Sequence, residues 1–170
     1  GERVRLSEGK ANDRTKSEVS CLPDRKEFQD GIMPQIIIEP LLRDDKENPC
    51  EEIQVYCFNS EPEFCIKTYG AKGDGISIWD KDFNIMEDIF NFPDIKINAA
   101  ADENIKISFE LAKKLSKDFI FVRVDFMTFQ NKLYFQELTF TPYSGFYKIY
   151  NRNKEISLGK MIGLERILNG

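Results

Sequence analysis

The chain has 170 residues, of which 41% are hydrophobic and 31% charged, with a formal net charge of −5. This is an ordinary globular composition, and because the two signs of charge are interspersed without a basic stripe, we expect no nucleic-acid partner. Histidine is absent, which excludes Ser-His-Asp and Cys-His catalysis and the usual zinc sites.

The cysteines and the apolar runs indicate the compartment. The four cysteines form no CxxC motif and no metal-binding spacing. No stretch has the length of a membrane span, and no apolar signal segment opens the chain. We therefore expect a cytoplasmic protein without a membrane span, and the start at Gly1 suggests that an upstream segment is missing.

Two polar segments are candidate phosphate or acceptor loops. Arg5 precedes the loop Ser7–Lys16, which contains Gly9 and Lys10; backbone N–H groups and a cation in such a loop can bind phosphate. The glycine-rich loop around Lys72 could be a lid or bind an acceptor. The alternatives, a solvated surface loop and a flexible connection, are favoured when each pattern is taken alone.

Hydrophobic patterns predict the remaining elements. β-Rich runs separated by polar turns indicate strands, and apolar residues at helical spacing indicate helices. The predicted strands are Gln35–Leu42, Ile53–Phe58, Glu63–Thr68 and Ile76–Trp79, and the predicted helices are Asp102–Lys117, with Ile105, Phe109 and Ala112 inward, and Leu158–Leu168.

The strongest local pattern is a β-hairpin made of Phe119–Phe129 and Leu133–Thr141. Side chains alternate between the faces of a strand, so Arg123 and Asp125 share one face of the first strand. On the second strand, the same rule places Glu137 and Thr139 on one face and Tyr134 and Leu138 on the other.

The length of the hairpin loop decides which residues face each other. A loop of residues 130–132 pairs Asp125 with Glu137, whereas a loop of residues 129–132 pairs Asp125 with Gln136. Two facing carboxylates are destabilising unless a cation or a proton intervenes. The first loop therefore predicts a magnesium site, and the second predicts ordinary hairpin polarity.

Four segments, in order, resemble the TupA-like branch of the ATP-grasp superfamily: IIIEPLL, EEIQVYCFNSEPEF, LAKKLSKDFIFVRVDF and LYFQELTFTPYSGF. The resemblance covers about Gln35–Phe146. It implies an α+β ATP-grasp fold of antiparallel sheets with flanking helices, without the N-terminal pre-ATP-grasp lobe. Residues 1–42 would be a partial N-terminal lobe, and residues 43–170 the C-terminal lobe with the Mg–ATP site.

The resemblance also implies the metal and catalytic residues. Asp125 and Glu137 would bind Mg²⁺, and Arg123 would face the phosphates or an acyl-phosphate, with Lys72 as a further cation. Most ATP-grasp enzymes have asparagine two residues after the glutamate. This position is Thr139 here, as in the TupA-like branch, and a hydroxyl binds Mg²⁺ only weakly or through water.

The nucleotide contacts follow from the same resemblance. Glu39 and Leu42 lie in the strand whose backbone would recognise adenine, and Glu52 stands where the family has an acid that reaches the ribose. Arg5 and Lys10 would bind the phosphates. Two departures matter: Gln54 replaces a lysine of the family motif, and Arg5 is the nearest candidate for the lysine before the phosphate loop.

The activity implied by the family is carboxylate activation. ATP would phosphorylate an acid, and an amine would attack the acyl-phosphate to form an amide, with the synthesis of a surface polysaccharide or peptide polymer as the implied setting. The alternatives are an ATP-grasp kinase acting on a sugar or protein hydroxyl, and a degenerate nucleotide-binding scaffold. The expected ligands are ATP, Mg²⁺ and an unidentified carboxylate, amine or hydroxyl acceptor.

Overall fold

The computed structural model describes residues 42, 50–70, 75–86, 97–146, 149 and 151–163. The chain divides into two units, Gly1–Pro40 and Leu41–Gly170, and every described residue belongs to the second. Apart from Leu42, the predicted N-terminal lobe lies outside the described residues, so the two-lobe organisation stays a prediction.

One sheet of five antiparallel strands forms the centre of the described unit. The strands in chain order are Glu51–Phe58 (β1), Glu61–Thr68 (β2), Ile76–Asp80 (β3), Phe121–Phe129 (β4) and Lys132–Thr139 (β5). Their order across the sheet is β3-β2-β1-β4-β5. The central strand β1 belongs to the hairpin β1–β2 and pairs with β4 of the hairpin β4–β5, so the two hairpins form one continuous surface.

Two-residue turns close both hairpins. Asn59 and Ser60, with φ of 49° and 68°, join β1 to β2, and Gln130 and Asn131, with φ of 49° and 58°, join β4 to β5. Positive φ at both turn residues gives the backbone twist that matches the flanking strands. The predicted loops were longer, because the polar residues mark the position of a turn but not its length.

Two helices flank the sheet, Glu103–Leu115 (α1) and Arg152–Ile162 (α2). The predicted first helix is confirmed: Asp102 caps it by accepting a hydrogen bond from the Ile105 N–H at 3.0 Å, and its inward residues are buried. Among the described residues, no helix has both the length and the apolar character needed to cross a membrane.

The second helix begins six residues before the predicted Leu158, at Arg152. The Asn151 side chain caps it by accepting hydrogen bonds from the N–H groups of Asn153 and Lys154. Gly163, in the left-handed conformation with φ 65°, ends it. Asparagine before a helix and glycine after it are ordinary end signals, and they define this helix better than its sparse apolar residues do.

Each face of the sheet has its own core. Ile53, Val55 and Cys57 of β1 pack with Val122, Val124 and Phe126 of β4 and with α1 on one face. Tyr56 and Phe58 pack on the other face, where Leu158, Met161 and Ile162 of α2 cover them. On this face the apolar residues lie at one end of β1 and on β2 and β3, where Phe64, Ile66 and Ile78 are buried, and the polar residues lie at the other end of β1 and on β4 and β5.

A buried lysine ties α1 to the sheet. The Lys67 side chain is 5% exposed, and its Nζ lies 2.6 Å from Asp102 Oδ2 and 2.9 Å from Glu51 Oε2. Burial disfavours the charged forms of both Lys67 and Asp102. The hydrogen bonds nevertheless hold the pKa of Lys67 above and that of Asp102 below its usual value.

Replacing Asp102 by alanine is expected to lower the free energy of unfolding by about 2–3 kcal/mol, because it removes the helix cap and one of the two partners of a buried ammonium. Urea denaturation at pH 7 measures this. The control is Glu61→Ala, which breaks an exposed pair with Lys113 and should cost about 0–1 kcal/mol. Because the pKa of Asp102 is lowered in the folded state, the part of the loss that comes from the ion pair should disappear as the pH falls below about 4 and through that pKa, whereas the loss of the helix cap remains. Equal losses in the two variants would contradict the prediction.

Candidate active site

Polar side chains collect on the α2 face of the sheet, in rows formed by residues paired across β1, β4 and β5. One row contains Gln54, Asp125 and Glu137, and the next contains Tyr56, Arg123 and Thr139. Residues two apart on a strand point to the same face. The three strands therefore place two carboxylates, a guanidinium and a hydroxyl side by side.

The predicted pairing of Asp125 with Glu137 is confirmed, but the predicted reason is wrong. The turn has two residues, and Phe126 pairs with Phe135, so the register shifts between Phe126 and Asp125 and leaves Gln136 as the extra residue of a β-bulge. A bulge moves every later side chain of its strand by one position relative to the partner strand. Before the bulge, Tyr134 pairs with Met127. Tyr134 therefore lies on the same face of the sheet as the site, and the prediction that it lies on the opposite face is wrong.

Arg123 and Asp125 form a bidentate ion pair. Arg123 donates from Nε to Asp125 Oδ1 at 2.8 Å and from Nη2 to Oδ2 at 2.6 Å, and the two residues are only 7% and 4% exposed. Burial opposes the charge of Arg123, but the hydrogen bonds and the charge of Asp125 raise its pKa above the ordinary value. Two parallel charge-assisted hydrogen bonds of this kind fix the orientation of the guanidinium.

Glu137 and Thr139 lie on the solvent side of the Arg123–Asp125 pair. Thr139 donates from Oγ1 to Glu137 Oε1 at 2.8 Å, and Glu137 Oε1 lies 3.8 Å from Arg123 Nη2. Thr139 Oγ1 is also 3.4 Å from Asp125 Oδ2. The Glu137 side chain is 58% exposed, so the site opens to solvent on the β5 side.

The site carries excess negative charge. Burial raises the pKa of Asp125 despite its bonds to Arg123, and the charge of Glu137 adds to the rise. Glu52, two residues from Gln54 on the same face of β1, has its pKa raised by burial and by Asp125. One guanidinium therefore faces three carboxylates, and a bound cation would relieve the remaining repulsion.

The donor set fits Mg²⁺. Asp125, Glu137 and Thr139 offer only oxygen atoms, which this cation prefers, and each carboxylate oxygen has a second lone pair beyond its hydrogen bond. Within the described ranges, no cluster of three or more His, Cys, Asp or Glu side chains could hold a metal. The residues thus suit a cation that completes its coordination with water or substrate phosphate, not one enclosed by protein ligands.

Two tyrosines that sequence reasoning missed contact Arg123. Tyr56, 5% exposed, is paired with Arg123 across the strands, and its nearby hydroxyl contributes to the raised pKa of Arg123. The ring of Tyr143 lies 5.7 Å from Arg123 Cζ, a cation–π distance. Strand alternation from Glu52 through Gln54 could have indicated Tyr56.

Tyr143 has no comparable sequence signal, because a turn positions it. Tyr143, Ser144 and Gly145 have successive positive φ values of 52°, 57° and 76° in the short 3-10 segment Pro142–Gly145. Positive φ is uncommon for a residue other than glycine. This turn folds the chain back after β5, so that the ring lies against Arg123.

The described part of the structure does not place the other predicted site residues on this surface. Arg5, Lys10, Glu39 and Lys72 lie outside the described residues. Leu42 is described, and its carbonyl accepts a hydrogen bond from Cys50 Sγ at 3.3 Å. The roles expected for these five residues stay predictions.

The comparison with protein families agrees with this geometry. A family described as TupA-like ATPgrasp matches residues 14–163. The match includes all five strands and both helices, and with them every residue of the polar surface. No curated protein and no solved structure matches the chain.

Proposed function

Because the chain belongs to the TupA-like ATP-grasp family, a class of ATP-dependent enzymes, we propose that it is a carboxylate–amine ligase that uses Mg–ATP and an acyl-phosphate intermediate. The observation that carries the proposal is the surface on which the buried Arg123–Asp125 pair adjoins the exposed Glu137. It combines a fixed cation with oxygen ligands that remain open to a phosphate-bound metal.

Asp125 and Glu137 would hold the magnesium ion, with Thr139 as a weak ligand or a ligand through water. When bound, the metal would neutralise phosphate charge during phosphoryl transfer. Thr139 donates its hydroxyl proton to Glu137 at 2.8 Å and accepts a hydrogen bond from Arg123 Nη2 at 3.4 Å, which leaves one oxygen lone pair of Thr139 available. The threonine therefore also orients the glutamate, a role that the sequence alone did not suggest.

Arg123 would bind the transferred phosphoryl group. It cannot lose its proton at neutral pH, and its two hydrogen bonds to Asp125 hold the guanidinium in one orientation, with the ring of Tyr143 beside it. A cation that is already oriented needs little reorganisation as negative charge develops. Phosphoryl transfer depends on positioning and charge neutralisation more than on a protein nucleophile, which suits a site without histidine.

The proposed reaction has two steps. A carboxylate oxygen of the acid attacks the γ-phosphorus of ATP, the bond to the β-phosphate oxygen breaks, and ADP leaves. The amine nitrogen then attacks the acyl carbon, the carbon–oxygen bond to phosphate breaks, and the nitrogen loses a proton. The products are an amide, ADP and inorganic phosphate.

The remaining contacts belong to the same proposal. Glu52 would accept hydrogen bonds from the ribose, Arg5 and Lys10 would bind phosphates, and the backbone of Glu39 and Leu42 would recognise adenine. Lys72 would add positive charge near the acceptor. Gln54, which replaces the family lysine, is paired with Asp125, so the substitution removes a cation directly beside this carboxylate and increases the reliance on Arg123.

The setting we propose is the cytoplasm, where a ligase would be supplied with ATP, and the substrate a precursor of a surface polysaccharide or peptide polymer. The buried residues Cys57 and Cys65 carry free thiols, which is consistent with a reducing compartment. The surface-polymer role is supported by the family relationship, and the chemistry does not depend on it.

Product analysis tests the proposed function. The protein is incubated with Mg–ATP, a panel of carboxylic acids and hydroxylamine, which traps an acyl-phosphate as a hydroxamate. Equal amounts of ADP, phosphate and hydroxamate are expected. A stable phosphorylated hydroxyl compound would establish the kinase instead, and a lack of Mg–ATP binding by calorimetry would leave only a scaffold.

Replacing Glu52 by glutamine is expected to stabilise the protein and weaken nucleotide binding. Burial and the charge of Asp125 raise the pKa of Glu52, so its ionised form costs stability at any pH above its folded pKa, and the cost disappears as the pH falls toward 4. The variant should unfold a few degrees higher at pH 7.5 and bind Mg–ATP about tenfold more weakly, the expected loss of one hydrogen-bonded contact.

Thermal unfolding and calorimetry measure the two effects of Glu52→Gln. The control is Glu110→Gln on the exposed side of α1, which should change neither quantity. A Glu52→Gln variant that is stabilised but keeps its Mg–ATP affinity would exclude a ribose contact. A variant that loses stability would contradict the electrostatic account of the site.

A further inference from the structure

A cleft of about 310 Å³ lies beside the polar surface. It is formed by β1, β4, the turn after β5 and α2, and we call it the aromatic cleft. Residues that line it include Tyr56, Phe58, Phe121, Tyr143, Leu158 and Gly159. Its volume falls in the range of small-molecule sites, and none of the roles proposed above uses it.

The cleft has a definite position relative to the proposed phosphate site. Along β1 the residues on this face are Glu52, Gln54, Tyr56 and Phe58, paired with Met127, Asp125, Arg123 and Phe121 of β4. Successive rows are about 7 Å apart. Glu52 and the cleft therefore lie on opposite sides of the Asp125 row, with Arg123 and Tyr56 between that row and the cleft.

The order of these rows along β1 would place the nucleotide and the acceptor acid at different positions on the sheet. If Glu52 binds the ribose and Asp125 the phosphates, the γ-phosphate end of the nucleotide points toward Arg123 and away from Glu52. The next space in that direction is the aromatic cleft. Tyr56 and Tyr143 belong to both regions, since each contacts Arg123 and lines the cleft.

The side chains that line the cleft indicate which kind of ligand it would bind. Among the described residues, Glu155 is the one charged side chain in the wall, and Arg152 neutralises it with a contact of 2.6 Å. The other described wall residues are apolar or aromatic. Arg123 does not line the cleft but lies next to it, beside the wall residues Tyr56 and Tyr143. A ligand that suits both the cleft and Arg123 has an apolar body and an anionic head.

We propose that the aromatic cleft binds the acid that is to be activated, and that this acid is a carboxylate with an aromatic or branched aliphatic body. The inference rests on the proposed function, because it places the carboxylate next to the phosphoryl group that it receives. The body of the acid packs against Phe58 and Phe121, and its carboxylate lies beside Arg123.

Gly159 offers a way to close the cleft without touching the polar surface. It lies within α2, and a Cβ built at this position would meet no atom within 4 Å. A glycine within a helix costs about 1 kcal/mol relative to alanine, so a larger residue is compatible with helix formation. Gly159→Leu would therefore fill the cleft while preserving the helix.

Calorimetry with 3-phenylpropionate and with acetate tests the proposal. The wild-type protein should bind 3-phenylpropionate at least tenfold more tightly than acetate, since burying a phenyl group is worth more than about 1.4 kcal/mol. Gly159→Leu should weaken 3-phenylpropionate binding at least tenfold, and Gly159→Ala less, with Mg–ATP affinity unchanged in both. Ser157→Leu, which adds the same side chain at an exposed position of α2, is the matched control.

The outcomes separate this inference from the proposed function. If Mg–ATP binds but 3-phenylpropionate does not, or binds equally well to Gly159→Leu, the cleft is not the acid site and the ligase proposal stands. If Mg–ATP itself fails to bind, the proposed function fails first. Circular dichroism checks that each variant is folded. If Gly159→Leu is unfolded, the test depends on Gly159→Ala, for which a smaller loss of 3-phenylpropionate affinity is expected.

Discussion

The double substitution Asp125→Asn with Glu137→Gln should abolish Mg–ATP binding and leave the domain folded. Both replacements keep the shape of the side chain and remove its charge, so the surface loses both proposed metal ligands. The amide introduced in place of the Asp125 carboxylate would still offer Arg123 a carbonyl oxygen, so the guanidinium keeps one of its two hydrogen bonds. We expect an affinity loss of more than about 100-fold, measured by calorimetry, since replacing two anionic ligands of a divalent cation should cost more than about 2.7 kcal/mol.

A charge-matched control and the two single variants sharpen this test. Glu61→Gln removes a carboxylate from the exposed pair with Lys113 and should leave Mg–ATP affinity unchanged. Glu137→Gln alone should reduce affinity with little change in stability, because Glu137 is 58% exposed, whereas Asp125→Asn alone affects both. If the folded double variant bound Mg–ATP within threefold of wild type, these two carboxylates would not be the metal site.

Strand alternation was sufficient to predict which side chains of β4 belong to the polar surface. In β4 the apolar residues Val122, Val124 and Phe126 occur at every second position, so Arg123 and Asp125 had to share the other face. A one-residue slip would expose the core side chains. This strong local constraint explains why the face of each residue in β4 could be predicted.

The pairing of β4 with β5 depended on two features that local patterns do not specify. A two-residue turn alone would pair Asp125 with Gln136, and the bulge at Gln136 restores the pairing with Glu137. The two deviations compensate, so a three-residue loop predicted the correct partner from an incorrect turn. Bulges follow from packing across the sheet and leave no clear trace in the sequence of one strand.

The contacts of Arg123 were also beyond sequence reasoning. Two facing carboxylates require a cation or a proton between them, and the residue pattern predicted Mg²⁺ in that role. The structure shows that Arg123 already neutralises Asp125 through two hydrogen bonds. Neighbours on the same face of a strand can reach each other only in particular rotamers, which strand alternation does not specify.

Replacing Arg123 is expected to separate its structural and chemical roles. Arg123→Met should lower the free energy of unfolding by about 3–5 kcal/mol, because it leaves the carboxylate of Asp125 buried without its cation. Arg123→Met combined with Asp125→Leu should recover most of this loss, since apolar residues of similar size often replace a buried ion pair without a stability cost. Urea denaturation measures both, and neither variant should form ADP.

Arg123→Lys retains the charge but not the planar pair of donors, so it tests the chemical role more directly. We expect kcat for ADP formation to fall about 100- to 1000-fold, the usual effect of removing a preorganised donor, with a much smaller change in the KM for ATP. A variant with normal kcat and reduced stability would show that Arg123 serves only to neutralise Asp125. Because Tyr56 and Tyr143 are neighbours of Arg123 and also line the aromatic cleft, a selective loss of kcat would instead place phosphoryl transfer at the boundary between the polar surface and that cleft.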